Sequence, residues 1–243
     1  MDPYTVFSPE ALLQGNSYVG RGLVLGCTPD GTRAVAAYFI MGRSENSRNR
    51  VFALEDGVLY TRPFDESKLL DPSLILYTAL RQEGDRLLVT NGDQTDTAAE
   101  GLRAGKSLHE ALRERRFEPD APNYTPRISG LIRFDDGGFS YQLSLLKRAD
   151  AVGTACCRFL YDYPALPGLG HFLHTYVCDG DPLPSFRGEP ERMQMLDDID
   201  AFTHRLWQSL DTENKIALYV RFVDCGTLAY AERLINKNQG GAP

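Results

Sequence analysis

The chain has 243 residues, 42% of them hydrophobic and 24% charged, which excludes both a disordered chain and a disulfide-stapled miniature and leaves room for a sizeable core. A net charge of −7 gives no broad basic field for a nucleic-acid backbone, although a few convergent arginines can still hold one phosphorylated metabolite. No apolar run approaches the roughly 20 residues that cross a bilayer, the opening MDPYTVFSPE lacks a signal-peptide pattern, and the expectation is a cytoplasmic protein that binds neither nucleic acid nor membrane.

In chain order, residues 18–27 and 34–41 are rich in Val, Leu, Phe and Ile around an Asp30-Gly31 turn, which predicts a hairpin. The polar run from Gly42 to Arg50 reads as a loop or strand end, and apolar residues return at 51–54 and 58–60. Residues 74–80 and 86–90 flank Gly84-Asp85 and predict a second hairpin. Thr97 with Glu100 and Ser107 with Glu110 have capping-box spacing, so helices are expected over about 97–104 and 108–116. A third hairpin is expected at 128–134 and 139–146, followed by strand-like stretches at 155–161 and 172–177. The Pro- and Gly-rich residues 179–190 form a long loop.

Met195, Ile199, Phe202, Leu206 and Leu210 recur at helical spacing. A late strand at 216–223, a terminal helix at 228–235 and a loose NKNQGGAP tail complete the reading. Hairpins followed by helices, more strands and more helices define an α+β class with antiparallel sheet. Neither GxGxxG nor GxxxxGK[ST] follows a strand, so any phosphate must be held otherwise. The five cysteines form no CxxC pair, and His171 and His174, three apart in a strand-like segment, point to opposite faces. No metal and no cofactor are therefore expected.

Four polar islands, YVGRG from Tyr18, RSENSRNR from Arg43, NGDQTDT from Asn91 and NYTPRI from Asn123, occur in this order. Together they resemble the archaeal-type IMP cyclohydrolase family over about residues 17–147, and HTYVCDGDPLPSFRGEP from His174 is similar to its longer bacterial members. The resemblance implies a single domain over 1–243, with 148–243 the C-terminal part of the longer form. It also implies a four-layer αββα architecture related to the N-terminal nucleophile hydrolases, without their autoprocessing. The implied activity is dehydrative closure of the formamido-carboxamide ribonucleotide FAICAR to inosine monophosphate, with small-molecule substrate as the partner and a homo-oligomer possible.

That chemistry joins a carboxamide nitrogen, a poor nucleophile, to a neighbouring formyl carbon and then expels water. It needs positioning, a proton shuttle and a stabilised oxyanion. The resemblance puts Glu118, in the FEP before NYTPR, at the proton transfer, the Tyr77 hydroxyl at the formyl oxygen, and Arg50 on the developing charge. Arg21 and Arg127 are the candidates for the ribose phosphate or the base carboxamide, with Asn91, Thr95 and Asn123 as polar walls and Asp96, which would repel a phosphate at the helix start, near the ribose hydroxyls. Arg43 and Asn46 share the Arg50 loop and can exchange roles with it. Without the resemblance, Glu118 reads as a solvated carboxylate pairing with Arg115 or Arg116, and Tyr77 as half-buried strand packing. Tyr176 and Phe186 read as apolar walls or ordinary core.

Two rivals stand beside this reading. An N-terminal nucleophile amidohydrolase would need cleavage before Cys27, whereas the chain runs unbroken from Met1 through Cys27 and no processing is expected. A non-catalytic purine nucleotide sensor would keep the pocket, but Arg50, Tyr77 and Glu118 together speak for chemistry.

Overall fold

The computed structural model describes residues 2, 4–68, 72 and 75–239, and in it two antiparallel sheets lie face to face with helices on their outer sides. After α1 (Pro9–Leu13) come β1 (Arg21–Cys27), β2 (Arg33–Met41), α2 (Glu45–Arg48), β3 (Val51–Glu55), β4 (Val58–Arg62), β5 (Tyr77–Glu83) and β6 (Arg86–Thr90). The chain continues through α3 (Gln94–Arg103), α4 (Leu108–Ala111), β7 (Arg127–Asp135), β8 (Gly138–Arg148), β9 (Cys156–Pro164) and β10 (Leu169–His174). It then forms β11 (Glu191–Gln194), α5 (Ile199–Ser209), β12 (Lys215–Asp224) and β13 (Tyr230–Asn236). One sheet runs β11-β10-β1-β2-β12-β13 and the other β3-β4-β5-β6-β7-β8-β9. The α+β class and antiparallel sheets are therefore as the sequence indicates.

Side-chain alternation along each strand decides the layering. Leu23 and Leu25 of β1, with Tyr38 and Ile40 of β2, meet Leu87, Val89 and Ile132 of the second sheet in one buried cluster. The intervening Val24, Val35 and Phe39 face outward onto Leu13 of α1 and Phe202 and Leu206 of α5. On the far side, Leu88, Leu131 and Leu146 pack under Ala98, Ala99 and Leu102 of α3. β2 reads as a nearly continuous apolar run because both of its faces are covered.

The three sequence hairpins are present in the paired strands β1/β2, β5/β6 and β7/β8. The second starts at Tyr77; the expected residues 74–76 reach position 74, which lies outside the described residues. Several expectations need correction. Residues 230–236 form strand β13 rather than a helix: Ala, Glu, Arg and Leu favour helix locally, but pairing with β12 from Val223↔Tyr230 to Ala217↔Asn236 overrides that preference. Helix α3 starts at Gln94 under Asp93, so Thr97 lies inside it and makes no capping box. The Ser107–Glu110 capping box does form, yet its helix stops at Ala111.

Met195 leaves strand β11, and the later helix begins only after Asp198, whose side chain accepts from the Ala201 amide at 2.7 Å. The polar run 42–50 is not all loop, since Ser44 caps a turn of helix, and α1, capped by Ser8, was not expected. Of the expected loose tail, Asn236 is in β13 and 237–239 form a 3₁₀ turn, while 240–243 lie outside the described residues. No described helix is long and apolar enough to cross a membrane.

His171 and His174 do point to opposite faces. His171 stacks on Tyr163 with centroids 3.6 Å apart and pairs through Nδ1 with the Tyr141 hydroxyl at 2.7 Å, between the sheets. Burial lowers its pKa from 6.5 to about 4, so the unfolded chain takes up a proton there before the native state does. The stability its neutral form supplies is intact above pH 6.5 and is lost as pH falls towards 4, on the order of 3 kcal/mol in all. Denaturant melts of His171→Asn across this range are expected to fall less steeply with acid than those of the wild type; equal slopes would remove His171 from the acid response.

Candidate active site

Antiparallel pairing brings one end of both sheets together. Arg21, Tyr77 and Arg127 open β1, β5 and β7; Arg50 immediately precedes β3; and Thr175 and Tyr176 follow β10. A cleft of about 280 Å³ opens here, lined by Arg21, Arg43, Asn46, Arg50, Glu118 and Asn123 among others. It thus gathers six of the eleven sequence candidates, five from three of the polar islands and Glu118 from the FEP segment before the last of them.

Gly20 explains why YVGRG carries glycine before its arginine. Its φ is +78°, and a Cβ there would lie 2.2 Å from Thr175 Oγ1 and 2.6 Å from Tyr176. The close approach lets Thr175 Oγ1 accept the Arg21 amide at 3.1 Å and sets the Arg21 side chain on the cleft floor. Arg50 is placed by its neighbour: Asn49 donates to Asp65 O at 2.8 Å and accepts the Asp65 amide at 2.7 Å, which staples the end of RSENSRNR to the loop after β4. Arg21 and Arg50 are only 6% and 5% exposed, and the Nε of each is buried without a hydrogen-bond partner. Asn46 Oδ1 is likewise buried and unpartnered. Donors and charge withdrawn from water in this way are costly unless a ligand completes them.

Glu118 is held by its backbone, whose amide donates to Thr125 O at 2.9 Å, while Asp120 Oδ1 accepts the Thr125 amide at 2.6 Å. Gly92 gives it room: a Cβ there would lie 2.5 Å from Arg127 Nη1, 2.7 Å from Gln94 Oε1 and 3.5 Å from Glu118 Oε1. Glu118 is 3% exposed, and burial raises the pKa of its carboxyl group above the ordinary glutamate value, opposed by Arg21, Arg127 and Arg50. Burial and the Arg21 charge lower the pKa of Arg50. Burial also disfavours the charge on Arg21, yet the phenols of Tyr18, Tyr77 and Tyr176, together with Glu118, leave its pKa raised. A carboxyl group moved towards neutrality beside two buried guanidinium groups is suited to proton transfer next to a bound anion.

The Tyr77 hydroxyl lies 2.9 Å from that of Tyr38, whose pKa burial pushes well above 10. Tyr176 faces the cleft and shares its hydroxyl with Thr125 Oγ1, which also bonds Asp120 Oδ2. Phe186 is core, edge-on to His174 at 4.7 Å. His174 is bound to Tyr176 O and Glu191 Oε1, away from His171. Arg43 lies over the Tyr18 ring and pairs with Asp179.

The remaining candidates are set back from the cleft. Asn91 ties the β6–α3 turn to β7, donating to Pro126 O and accepting the Ile128 amide, each at 2.9 Å. Thr95 bonds Thr90 and Thr78 O. Arg127 is held at 2.6 Å by both Asp93 and Gln94, behind Glu118. Asp96 is exposed and paired with Arg81, so the structure does not bring it to the other candidates. Glu118 does not pair with Arg115, which is bound to Asp93, nor with Arg116, which donates to the 153 and 154 carbonyls. Sequence reasoning missed Tyr38, Ser44, Ser47, Asp120 and Thr125. The two serines and Asp120 with Thr125 lay inside or between recognised islands, whereas Tyr38 is hidden in an apolar strand.

Fold and site together define a two-sheet α+β protein with a small, arginine-rich cleft at one end of its strands. The model of the family described as IMP cyclohydrolase-like protein matches residues 18–227, and the chain belongs to that family. Among curated relatives, the IMP cyclohydrolase of Methanopyrus kandleri is 36% identical over 115 residues, 46% of this chain and 57% of that protein. The IMP cyclohydrolase of Haloquadratum walsbyi is 32% identical over 139 residues, 56% of this chain and 64% of that protein. That of Methanococcus aeolicus is 26% identical over 165 residues, 66% of this chain and 75% of that protein. The matched region thus spans less than two thirds of the first two relatives.

Proposed function

We propose that this protein is an IMP cyclohydrolase, closing FAICAR to inosine monophosphate with loss of water in purine biosynthesis. The observation that carries the reading is the placement of buried Glu118 in one cleft with the buried guanidinium groups of Arg21 and Arg50, whose Nε atoms have no partner among the described residues. Arg21 and Arg43 bind the phosphate or the base carboxamide, and Asn46 and Asn123 supply polar wall. Glu118 takes the proton from the carboxamide nitrogen as the C–N bond forms to the formyl carbon. It returns that proton to the oxyanion to give the carbinolamine hydroxyl, then carries the proton of the former formamide nitrogen to that hydroxyl, which leaves as water as the C=N bond forms. Arg50 and the Tyr77 hydroxyl carry the negative charge that gathers on the formyl oxygen, aligned by Tyr38. Arg127 acts from behind, holding Glu118 towards its ionised form, while Asn91 and Thr95 fix the turn that supports both. No step in this scheme calls for a metal or a redox group.

The layering of helices around two sheets supports kinship with the N-terminal nucleophile hydrolases, used here without chain cleavage. Cys27 ends β1 at the opposite end from Arg21, about 20 Å away at about 3.3 Å per residue. It is buried, and burial pushes its thiol up to about 11. Cys27→Ala is therefore expected to retain most of the turnover, with an intact mass matching an uncleaved chain; loss of activity or of a peptide ending at Gly26 would restore the nucleophile mechanism. The first sheet takes strands from both halves of the sequence, which supports one domain rather than a core with an appendage. A reduced cytoplasmic setting fits the five free thiols.

Binding tests the pocket separately from the chemistry. Saturating IMP is expected to raise Tm by mass action, and Arg21→Met to abolish most of that rise while leaving a folded protein. No shift of the wild-type protein with IMP would count against a purine nucleotide site.

A further inference from the structure

The seven-stranded sheet has two edges of different character. At β3 the edge is closed, because Asn236 of β13 donates to Phe52 O at 2.9 Å and accepts the Phe52 amide at 2.8 Å. At the other, β9 has no further strand beside it among the described residues. Open edges are ordinarily kept short, bulged, covered or studded with lysine. β9 is nine residues long, has no lysine, and carries its proline only at the end. Its middle residues Phe159 and Leu160 are each 40% exposed, with Val152 and Leu166 also exposed nearby.

The sequence of this edge is complementary to itself. Pairing with β8 places Arg158 opposite Leu146, Leu160 opposite Ser144 and Asp162 opposite Gln142, on the side of α3 and α4. Phe159 and Tyr161 lie on the other side, opposite Leu145 and Leu143, and stack with centroids 6.5 Å apart. Arg158 donates only to the backbone carbonyls of Arg113, Arg115 and Cys156, and Asp162 accepts only from Gln142 Nε2 at 2.8 Å. Among the described residues neither charge meets its opposite.

We propose that β9 pairs antiparallel with β9 of a second copy of this chain about a two-fold axis at Leu160, joining the two seven-stranded sheets into one. Directly opposite residues then sit at 158 and 162, 159 and 161, and 160 with itself. Each Arg158 faces the other copy's Asp162, each Phe159 faces Tyr161, and the two Leu160 side chains meet on the axis. An axis at Phe159 sets Arg158 against Leu160, and one at Tyr161 sets it against Pro164, so only the axis at Leu160 pairs the charges. Two-fold pairing uses the Arg158–Asp162 and Phe159–Tyr161 contacts twice, as isologous interfaces do. The partner is a copy of this chain rather than a foreign peptide, because this match is of the strand with itself.

Light scattering on the purified full chain tests the interface. The expected mass is twice 27.1 kDa, with Arg158→Asp and Asp162→Arg each weakening association at least tenfold and the double variant restoring it. A second test does not depend on the charges. In a Cys156→Ser, Cys157→Ser, Cys178→Ser background, Leu160→Cys is expected to form a disulfide-linked dimer on oxidation, while Glu66→Cys forms none. A monomer at every concentration, a dimer indifferent to both single charge changes, or failure of the Leu160→Cys cross-link would each overturn the proposal.

Discussion

Glu118→Gln is expected to lower kcat by roughly 10²- to 10⁴-fold, the usual contribution of a positioned acid–base group, with KM nearly unchanged. Glutamine keeps the size and most of the hydrogen-bonding capacity of the side chain but cannot take a proton and return it. The position is buried among Arg21, Arg50 and Arg127, whose charges act on the carboxyl group. A glutamate that served only as scaffold would show its loss in stability instead of rate. The pH dependence gives a second readout. Folding raises the Glu118 pKa, so above the unfolded glutamate value the native state holds more protons than the unfolded chain, and stability falls as pH rises through the raised value. Glu118→Gln is expected to flatten that decline. A folded variant with wild-type kcat would take Glu118 out of the mechanism and leave Tyr77 and Arg50 to carry it.

Arg50→Met is expected to move activity and stability in opposite directions. This guanidinium is 5% exposed, its Nε has no partner among the described residues, and the neighbouring Arg21 charge repels it. Methionine fills similar volume without a buried charge, so the free protein gains stability, by about 1–3 kcal/mol. Since about 1 kcal/mol moves Tm by roughly 2–4 °C in a chain of this size, the gain is readable in a thermal melt. Removal of a donor aimed at developing oxyanion charge costs roughly 10²- to 10³-fold in rate. A structural arginine would behave otherwise, its loss lowering Tm and sparing turnover. The strain held at Arg50 is the kind that functional sites retain at the expense of stability.

The site was legible in the sequence as a set of polar islands, because each interrupts an apolar strand pattern where a strand ends. Antiparallel pairing then places alternate strand ends together, which brings Arg21 and Arg50 to one cleft, and the segment before β7, tied back by the Glu118 amide on Thr125 O, adds Glu118. Nothing in spacing distinguishes an island residue that faces the cleft from one that supports it. Asn91 and Thr95 spend their hydrogen bonds on the turn between β6 and α3, and Asp96 lies on the outer face of a helix that starts three residues before its expected position. Tyr38 was invisible for the opposite reason: one hydroxyl in the run RAVAAYFIM looks like packing until β2 brings it to Tyr77. The β13 error has the same root, since residues 230–236 prefer helix alone and become strand only because β12 offers an edge.

The central claim is chemical, and ultraviolet absorbance during incubation of FAICAR with the purified full chain measures it directly. The account predicts IMP formation well above the uncatalysed rate and its collapse in Glu118→Gln at equal IMP binding. IMP binding by the wild-type protein without any acceleration of ring closure would contradict it and leave a nucleotide-binding protein that does no chemistry.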